Sequence, residues 1–478
     1  MHAKVRLDGQ QLTISDLVAV ANGEADVTVD PVALRLVEQR HAVMLDARAA
    51  GAVYGANTGV GANRHVRTDD DHERGLRLLR SHCAAIGPSE DDETVRAAMV
   101  TRLNQILAGG SGVSRPVAEA LSAALSSRSV PTLHSWGAIG TGDLTALAEL
   151  ALTLAGERPW KSGPGASATI TATDALPIIS SSAVTVAIAA LALDRVSAQV
   201  EASIVVGALS FLALLGNPEA YEAGVHRARA HPCQAEVAAT LRSMVAGCAA
   251  PVRIQDPFGL RVMPQVTAPA LYAVRELRDV LTAELNAAVE NPLVTADGVR
   301  HHGQFHTATL ASHLDAVRNA FLPVLSLSSA RLGLLMRPDL TGLRAFLADG
   351  PTGSSGLMIG EYVVQDLLTE IRVGMQAVAA GTLTISLGLE EHASFATQGA
   401  RSLRRMTGLA PTLLAAELVA AVRALRMAPG RLVDGAAREA FELAAKVIDP
   451  DMEDRPLGAD LERAAALLPE LAALVERA

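Results

Sequence analysis

The chain has 478 residues, of which 50% are hydrophobic, 19% charged and only 3% aromatic, a composition that excludes disordered, collagen-like and disulfide-scaffold proteins. Lys and Arg number 41 against 51 Asp and Glu, for a net charge of -10, and lysine occurs only at Lys4, Lys161 and Lys446. A nucleic-acid binder needs a basic face, which this balance does not supply.

Taken in order, the first 17 residues lack the apolar core and small-residue cleavage site of a signal peptide and predict a short strand leading into a capped helix. Cys83, Cys233 and Cys248 are odd in number and have no CxxC spacing, so neither a disulfide framework nor a zinc site is expected, and a reducing cytoplasm is the simplest location. From about residue 90 the sequence is Ala/Leu-rich with apolar residues at helical spacing, which predicts long helices over 183–215, 266–289, 313–335, 360–380 and 412–424. The most apolar run, 175–193, contains Pro177 and Ser180 to Ser182 and is followed by Asp194 and Arg195. It therefore reads as the centre of a helical bundle rather than a membrane span. Glycine-dense loops at 51–61, 109–112, 137–142, 163–165 and 350–356 separate the helices and allow close approach of backbone to a ligand. Three regions are expected: a mixed N-terminal region 1–165, a long-helix bundle 166–425 and a small helical cap 426–478.

Four constellations carry chemistry. Tyr54 opens a glycine loop that ends at Gly61. Asp143 or Thr145 is placed to cap a helix beginning near Leu144. Arg261 lies between apolar helices, where a guanidinium can clamp a carboxylate, and Glu390, Glu391 and His392 form an acidic pair with an imidazole. Each alone has a plain structural explanation: a packed loop aromatic, a cap, a charged face.

Together and in this order they closely resemble the histidine/phenylalanine/tyrosine ammonia-lyase family. The run from Tyr54 to Gly61 is similar to the family's YGxNTGFG loop, Ser81-His82 to SHAAGVG, and 104–113 to NxLxxGxSGV. His231 to Val237 resembles HPGQIEV, Glu290 to Val294 DNPLV, Gly303 to His306 GNFH, Ser354 to Ile359 NSGFMI, and Glu390 to Ser394 EDHVS. The resemblance implies a mainly α fold with a long central helical bundle, assembled as a homotetramer whose active sites are shared between subunits, acting on a small molecule with no nucleic acid or membrane partner. It further implies Tyr54 as the base, Arg261 as the carboxylate anchor, Glu390 near the substrate amine or imidazole, and His82 as a selector of the substrate side chain. The family's electrophile is a methylidene-imidazolone made by cyclisation of an internal Ala-Ser-Gly.

Here that triad is Gly140-Thr141-Gly142, preceded by Ile139. The family's supporting Asn-Gly-Thr-Gln is Ser180-Ser181-Ser182-Ala183, and a second active-site tyrosine is Phe258. The substrate-facing residues Tyr54, His82, Arg261, Gln265 and Glu390 survive. The expectation drawn from this contrast is an enzyme without the imidazolone and without any metal or added cofactor. It would use Tyr54 and Glu390 for acid–base chemistry in an elimination, conjugate addition, cyclisation or isomerisation, with His82, Arg261, Gln265, Ser180 and Phe258 around the substrate. The alternatives are a conventional ammonia-lyase with its cofactor made from Gly140-Thr141-Gly142, and a non-catalytic ligand-binding paralogue. His301, His302 and His306 are expected to be solvent-exposed loop histidines, and Cys83 a small pocket-lining residue.

Overall fold

A computed structural model describes residues 3–68 and 73–477. The expected N-terminal elements form. The strand Ala3–Leu7 pairs in parallel with Ala25–Val29, and the helix Ile14–Ala21 connects them. Thr13 and Asp16 close a capping box at the start of that helix: the Thr13 hydroxyl accepts from the Asp16 N–H at 3.1 Å, and the Asp16 carboxylate accepts from the Thr13 hydroxyl at 2.6 Å. Among the described residues the remaining strands form three further two-stranded ribbons, so the architecture is mainly α, as expected.

The long helices run over Ala183–Ala213, Met263–Leu285, Ala308–Leu335, Gly360–Val373 and Ala396–Met427. The last begins well before residue 412, because Pro411 is carried inside a continuous helix rather than starting one. Conversely, the helix expected to reach residue 380 stops at Val373. Beyond it, the Arg318 guanidinium donates to the carbonyls of Gly374 at 2.6 Å and Gln376 at 3.2 Å, which satisfies backbone acceptors outside the helical ladder. Ala183–Ala213 and Ala396–Met427 belong to stretches long and apolar enough to cross a membrane. However, 94% and 78% of their most apolar windows are buried within the protein, the condition of core helices.

Contacts divide the chain into two interleaved units, which do not follow the three consecutive regions read from the sequence. The first comprises 1–194, 277–315 and 377–401; the second comprises 195–276, 316–376 and 402–478. In the first unit the helix Asp92–Leu107 is buried over most of its length and carries polar side chains into the interior. Arg102 donates to the Glu290 carboxylate at 2.7 Å and to the carbonyls of Pro177 and Ile178 at 2.7 and 3.0 Å. Gln105 accepts from the Ser181 hydroxyl at 2.5 Å and donates to the Glu284 carbonyl at 3.0 Å. These buried groups fix the break at Ser180 to Ser182, which separates the helices Ala172–Ile179 and Ala183–Ala213. In the second unit a buried pair, Arg331 with Glu417, meets in fork geometry at 2.5 and 2.9 Å, and the Ser210 hydroxyl donates to the same carboxylate at 2.6 Å.

Candidate active site

Within the first unit a cavity of about 850 Å³ is lined by Tyr54, His82, Thr141, Ser180 and Glu390, five of the residues singled out in the sequence. They come from separate stretches of chain, and each is held by a different device.

Tyr54 stands on a loop whose backbone groups are tied down by side chains. Asn57 accepts from the Val53 N–H at 2.7 Å and donates to the carbonyls of Gly51 at 2.7 Å and Arg48 at 3.1 Å. Arg74, the first residue of the helix Arg74–His82, donates to the carbonyls of Ala56, Gly55 and Thr58. The loop then folds back so that the Gly61 N–H donates to the Tyr54 phenolic oxygen at 2.7 Å, the geometry that stabilises charge on that oxygen. The far end of the loop docks on Ser386, whose hydroxyl accepts from the Ala62 N–H at 3.1 Å.

Gly140 and Gly142 adopt φ values of +82° and +112°, a left-handed backbone that disfavours side chains. The Gly140 carbonyl oxygen lies 2.8 Å from the Thr307 hydroxyl and 2.8 Å from the Ser394 hydroxyl. Asp143 follows at the start of the helix Leu144–Leu154, but it does not cap that helix. Its carboxylate accepts instead from the Thr185 N–H and hydroxyl, both at 2.7 Å. Burial pushes its pKa up to about 6, and the Thr185 hydrogen bonds oppose that rise. The Asp143 N–H donates to the Ser181 carbonyl at 2.7 Å, which holds the 140–143 loop against the break at Ser180 to Ser182.

His82 ends the helix Arg74–His82, and its Nδ1 donates to the Leu78 carbonyl at 2.9 Å. A carbonyl only accepts, so Nε2 is left as the acceptor of the neutral ring. Ser180 presents a hydroxyl that accepts from the Asn291 N–H at 3.4 Å. Glu390 sits on a two-residue bridge to Ile385, closed by backbone hydrogen bonds of 2.9 and 3.4 Å.

Sequence reasoning undervalued the histidines. His301, His302, His306 and His392 all line the cavity, although His301 and His392 are also exposed. His302 is fixed as the Nε2–H tautomer, because Nε2 faces the Glu290 carbonyl at 2.7 Å and Nδ1 accepts from the Gln304 N–H at 2.9 Å. His306 Nε2 and His392 Nδ1 lie 2.9 Å apart and share one proton. Burial first, then the neighbouring His392, lowers the His306 pKa below the ordinary imidazole value. The signal available in the sequence was proximity to two motifs, His306 in the GNFH-like run and His392 beside Glu390.

Phe258, Arg261 and Gln265 belong to the second unit and are not among the residues lining the cavity. Phe258 is 64% exposed, and the Arg261 guanidinium carbon lies 4.5 Å from its ring centroid. Arg261 Nε and Gln265 Oε1 are buried without a hydrogen-bond partner. Cys83 does not line the cavity either. Its sulfur lies 3.8 Å from an Arg158 nitrogen, and burial raises its thiol pKa.

Relatives of known type cover essentially the whole chain. It is 34% identical to a histidine ammonia-lyase of Sorangium cellulosum (strain So ce56), with 98% of each chain covered. It is 33% identical to a histidine ammonia-lyase of Geobacillus kaustophilus (strain HTA426), with 88% of each covered. The crystal structure of histidine ammonia-lyase from Trypanosoma cruzi superposes with a TM-score of 0.92 at 26% identity, covering 99% of this chain and 95% of that one.

These likenesses overturn the expectation of an enzyme without a prosthetic group, since they lie with the ammonia-lyases for which the internal imidazolone is implied. The local structure fits that group. Glycines flank Thr141, Thr141 lines the cavity, and the Gly140 carbonyl faces two hydroxyls. Glycine at 140 is matched to its surroundings rather than being a lost alanine, because a Cβ there would stand 2.1 Å from the Ser394 hydroxyl oxygen. The aromatic amino acid lyase model matches residues 12–446, and the chain belongs to that family.

Proposed function

We propose that this protein is an ammonia-lyase of the histidine type, which removes ammonia from L-histidine or a close imidazole-bearing α-amino acid and leaves the α,β-unsaturated acid. The observation that carries this reading is the convergence of Tyr54, His82, Thr141, Ser180 and Glu390 on one cavity. Whole-length likeness to histidine ammonia-lyases supports the same choice of substrate class. An imidazolone formed from Gly140-Thr141-Gly142 supplies the electrophile such an elimination requires, with an ethylidene carbon because residue 141 is threonine.

The chain's own residues do the rest. Tyr54, as phenolate, takes the substrate Cβ proton, and the Gly61 N–H at 2.7 Å supports its oxygen in the charged form. His82 Nε2 accepts a hydrogen bond from the substrate side chain, because its Nδ1 proton is committed to Leu78. The Glu390 carboxylate holds the ammonium or imidazole N–H. The Cβ–H and Cα–N bonds break, the Cα=Cβ bond forms, and a proton and ammonia leave.

Arg261 of the partner subunit anchors the substrate carboxylate in a homotetramer. The unpartnered Nε of Arg261 and Oε1 of Gln265, beside an exposed Phe258, support this assignment, because such groups call for a partner from outside the chain. The test is incubation of the purified protein with L-histidine, following ammonia and the ultraviolet absorbance of the conjugated acid, together with light scattering for mass. Release of ammonia by a tetramer is expected. Absence of ammonia from histidine and from the other aromatic amino acids overturns the proposal, and a monomer overturns its assembly.

A further inference from the structure

The surroundings of Gly140 contain machinery that substrate turnover does not use. Thr307 immediately precedes the helix Ala308–Leu335, and Ser394 stands two residues before the helix Ala396–Met427. Both hydroxyl oxygens lie 2.8 Å from the Gly140 carbonyl oxygen and 2.9 Å from each other, and the Thr307 N–H reaches the same oxygen at 3.4 Å. Two hydroxyl protons serve three oxygen–oxygen contacts, so at least one hydroxyl always donates to the carbonyl. The Ala396 N–H donates to the Ser394 hydroxyl at 3.2 Å, which strengthens that hydroxyl as a donor. One residue earlier, the Ile139 carbonyl accepts from the Phe395 N–H at 2.9 Å, so consecutive carbonyls are gripped by one segment. Both hydroxyl-bearing residues are deeply buried, with Ser394 2% and Thr307 3% exposed.

A main-chain carbonyl needs one hydrogen bond, and this one is offered three donors from residues 167 and 254 positions away. Such a concentration is the arrangement that stabilises negative charge developing on a carbonyl oxygen under nucleophilic attack. We propose that Thr307 and Ser394 are positioning residues for the internal cyclisation, polarising the Gly140 carbonyl for attack by the Gly142 nitrogen. The inference rests on the cofactor-bearing reading above and extends it to how the group is made.

The Gly142 nitrogen forms a bond to the Gly140 carbonyl carbon, and its proton passes to the carbonyl oxygen, which is held meanwhile by the two hydroxyls. That oxygen, now a hydroxyl, takes up the Thr141 N–H hydrogen and leaves as the first water as the ring C=N bond forms between the Gly140 carbonyl carbon and the Thr141 nitrogen. Thr141 then loses its Cα hydrogen and its hydroxyl as the second water, forming the Cα=Cβ bond. No oxidant or co-reactant is needed, and the chain becomes lighter by two waters. Glycine at position 140 completes the device, since a Cβ would meet the Ser394 oxygen at 2.1 Å and the backbone nitrogens of Ala396 and Phe395 at 2.8 and 2.9 Å, forcing the hydroxyl away.

The test is the rate at which newly synthesised protein loses two waters from the peptide spanning residues 139–143, followed by tandem mass spectrometry in wild type, Thr307→Val, Ser394→Ala and the double variant. Removing one donor of this kind slows a reaction by about a hundredfold. The double variant is therefore expected to remain largely unconverted while the wild type is complete, and Thr307→Ser, which keeps the hydroxyl, should convert like wild type. Circular dichroism and light scattering identify any variant that fails to fold, and Thr307→Ser against Thr307→Val then decides. If the wild type converts and the double variant converts at the same rate, this inference falls while the cofactor-bearing reading stands. If the wild type itself is unmodified, the cofactor-bearing reading falls and takes this inference with it.

Discussion

Gly140→Ala restores the alanine of the family's usual triad, yet this structure predicts that it is damaging. The new Cβ would stand 2.1 Å from Ser394 Oγ and under 3 Å from two backbone nitrogens, on a residue held at φ +82°. A non-glycine residue in that backbone region costs about 1–3 kcal/mol, and overpacking a tight site costs a further ~1–3 kcal/mol. The expected loss is therefore about 2–6 kcal/mol, measured by urea unfolding at fixed protomer concentration so that association does not shift the result. Ser394→Ala removes the nearest colliding atom but leaves the backbone nitrogens. Combined with Gly140→Ala, it should therefore recover only about 1 kcal/mol of the expected sum, as a coupled neighbouring pair does. A Gly140→Ala protein within ~0.5 kcal/mol of wild type would refute the packing argument, and with it the claim that glycine here is matched to Ser394.

Tyr54→Phe removes the proposed base while keeping the ring. Turnover should fall by a factor on the order of 10²–10⁴ with substrate binding retained, as read from initial rates beside calorimetry; unchanged turnover would remove Tyr54 from the chemistry. Arg102→Met leaves the Glu290 carboxylate buried without its cation and frees the carbonyls of Pro177 and Ile178. A loss of about 3–5 kcal/mol in urea unfolding is expected, and a neutral result would show that the break at Ser180 to Ser182 holds itself. His306 holds its proton more weakly in the fold than the ordinary value of about 6.5. The unfolded chain thus binds that proton more readily, and the contribution of His306 to stability is complete above about pH 6.5 and lost as pH falls through the lower folded value. Imidazole NMR should place its midpoint below that of a free histidine. His392→Ala should raise the midpoint without restoring it, since burial is the larger cause. A midpoint at or above the free value in wild type would contradict the pairing of the two rings.

Much of the site was legible because its residues sit in contiguous motifs: Tyr54 with its glycine loop, His82 after Ser81, and Glu390 before His392. The helices were legible from their spacing, except where a proline inside a helix, as at Pro411, imitates a boundary. What the sequence could not display was compensation across long separations. Glycine at 140 departs from the alanine of the family's triad, and its reason is Ser394, 254 residues away, whose oxygen occupies the space a Cβ would need. Asp143 looked like a helix cap, while its actual partner is Thr185, on the helix Ala183–Ala213 rather than on its own. His306 and His392 looked like unrelated loop residues until the fold brought their rings to a centroid distance of 5.0 Å. Residue identities report what has changed, and only the packing reports whether the change has been accommodated.

The most direct measurement of the central claim is the intact mass of the purified protein, with the peptide from Ile139 to Asp143 sequenced by tandem mass spectrometry. A mass lower than the sequence by two waters, lost within Gly140-Thr141-Gly142, is the predicted result. An unmodified peptide in fully folded protein would contradict it.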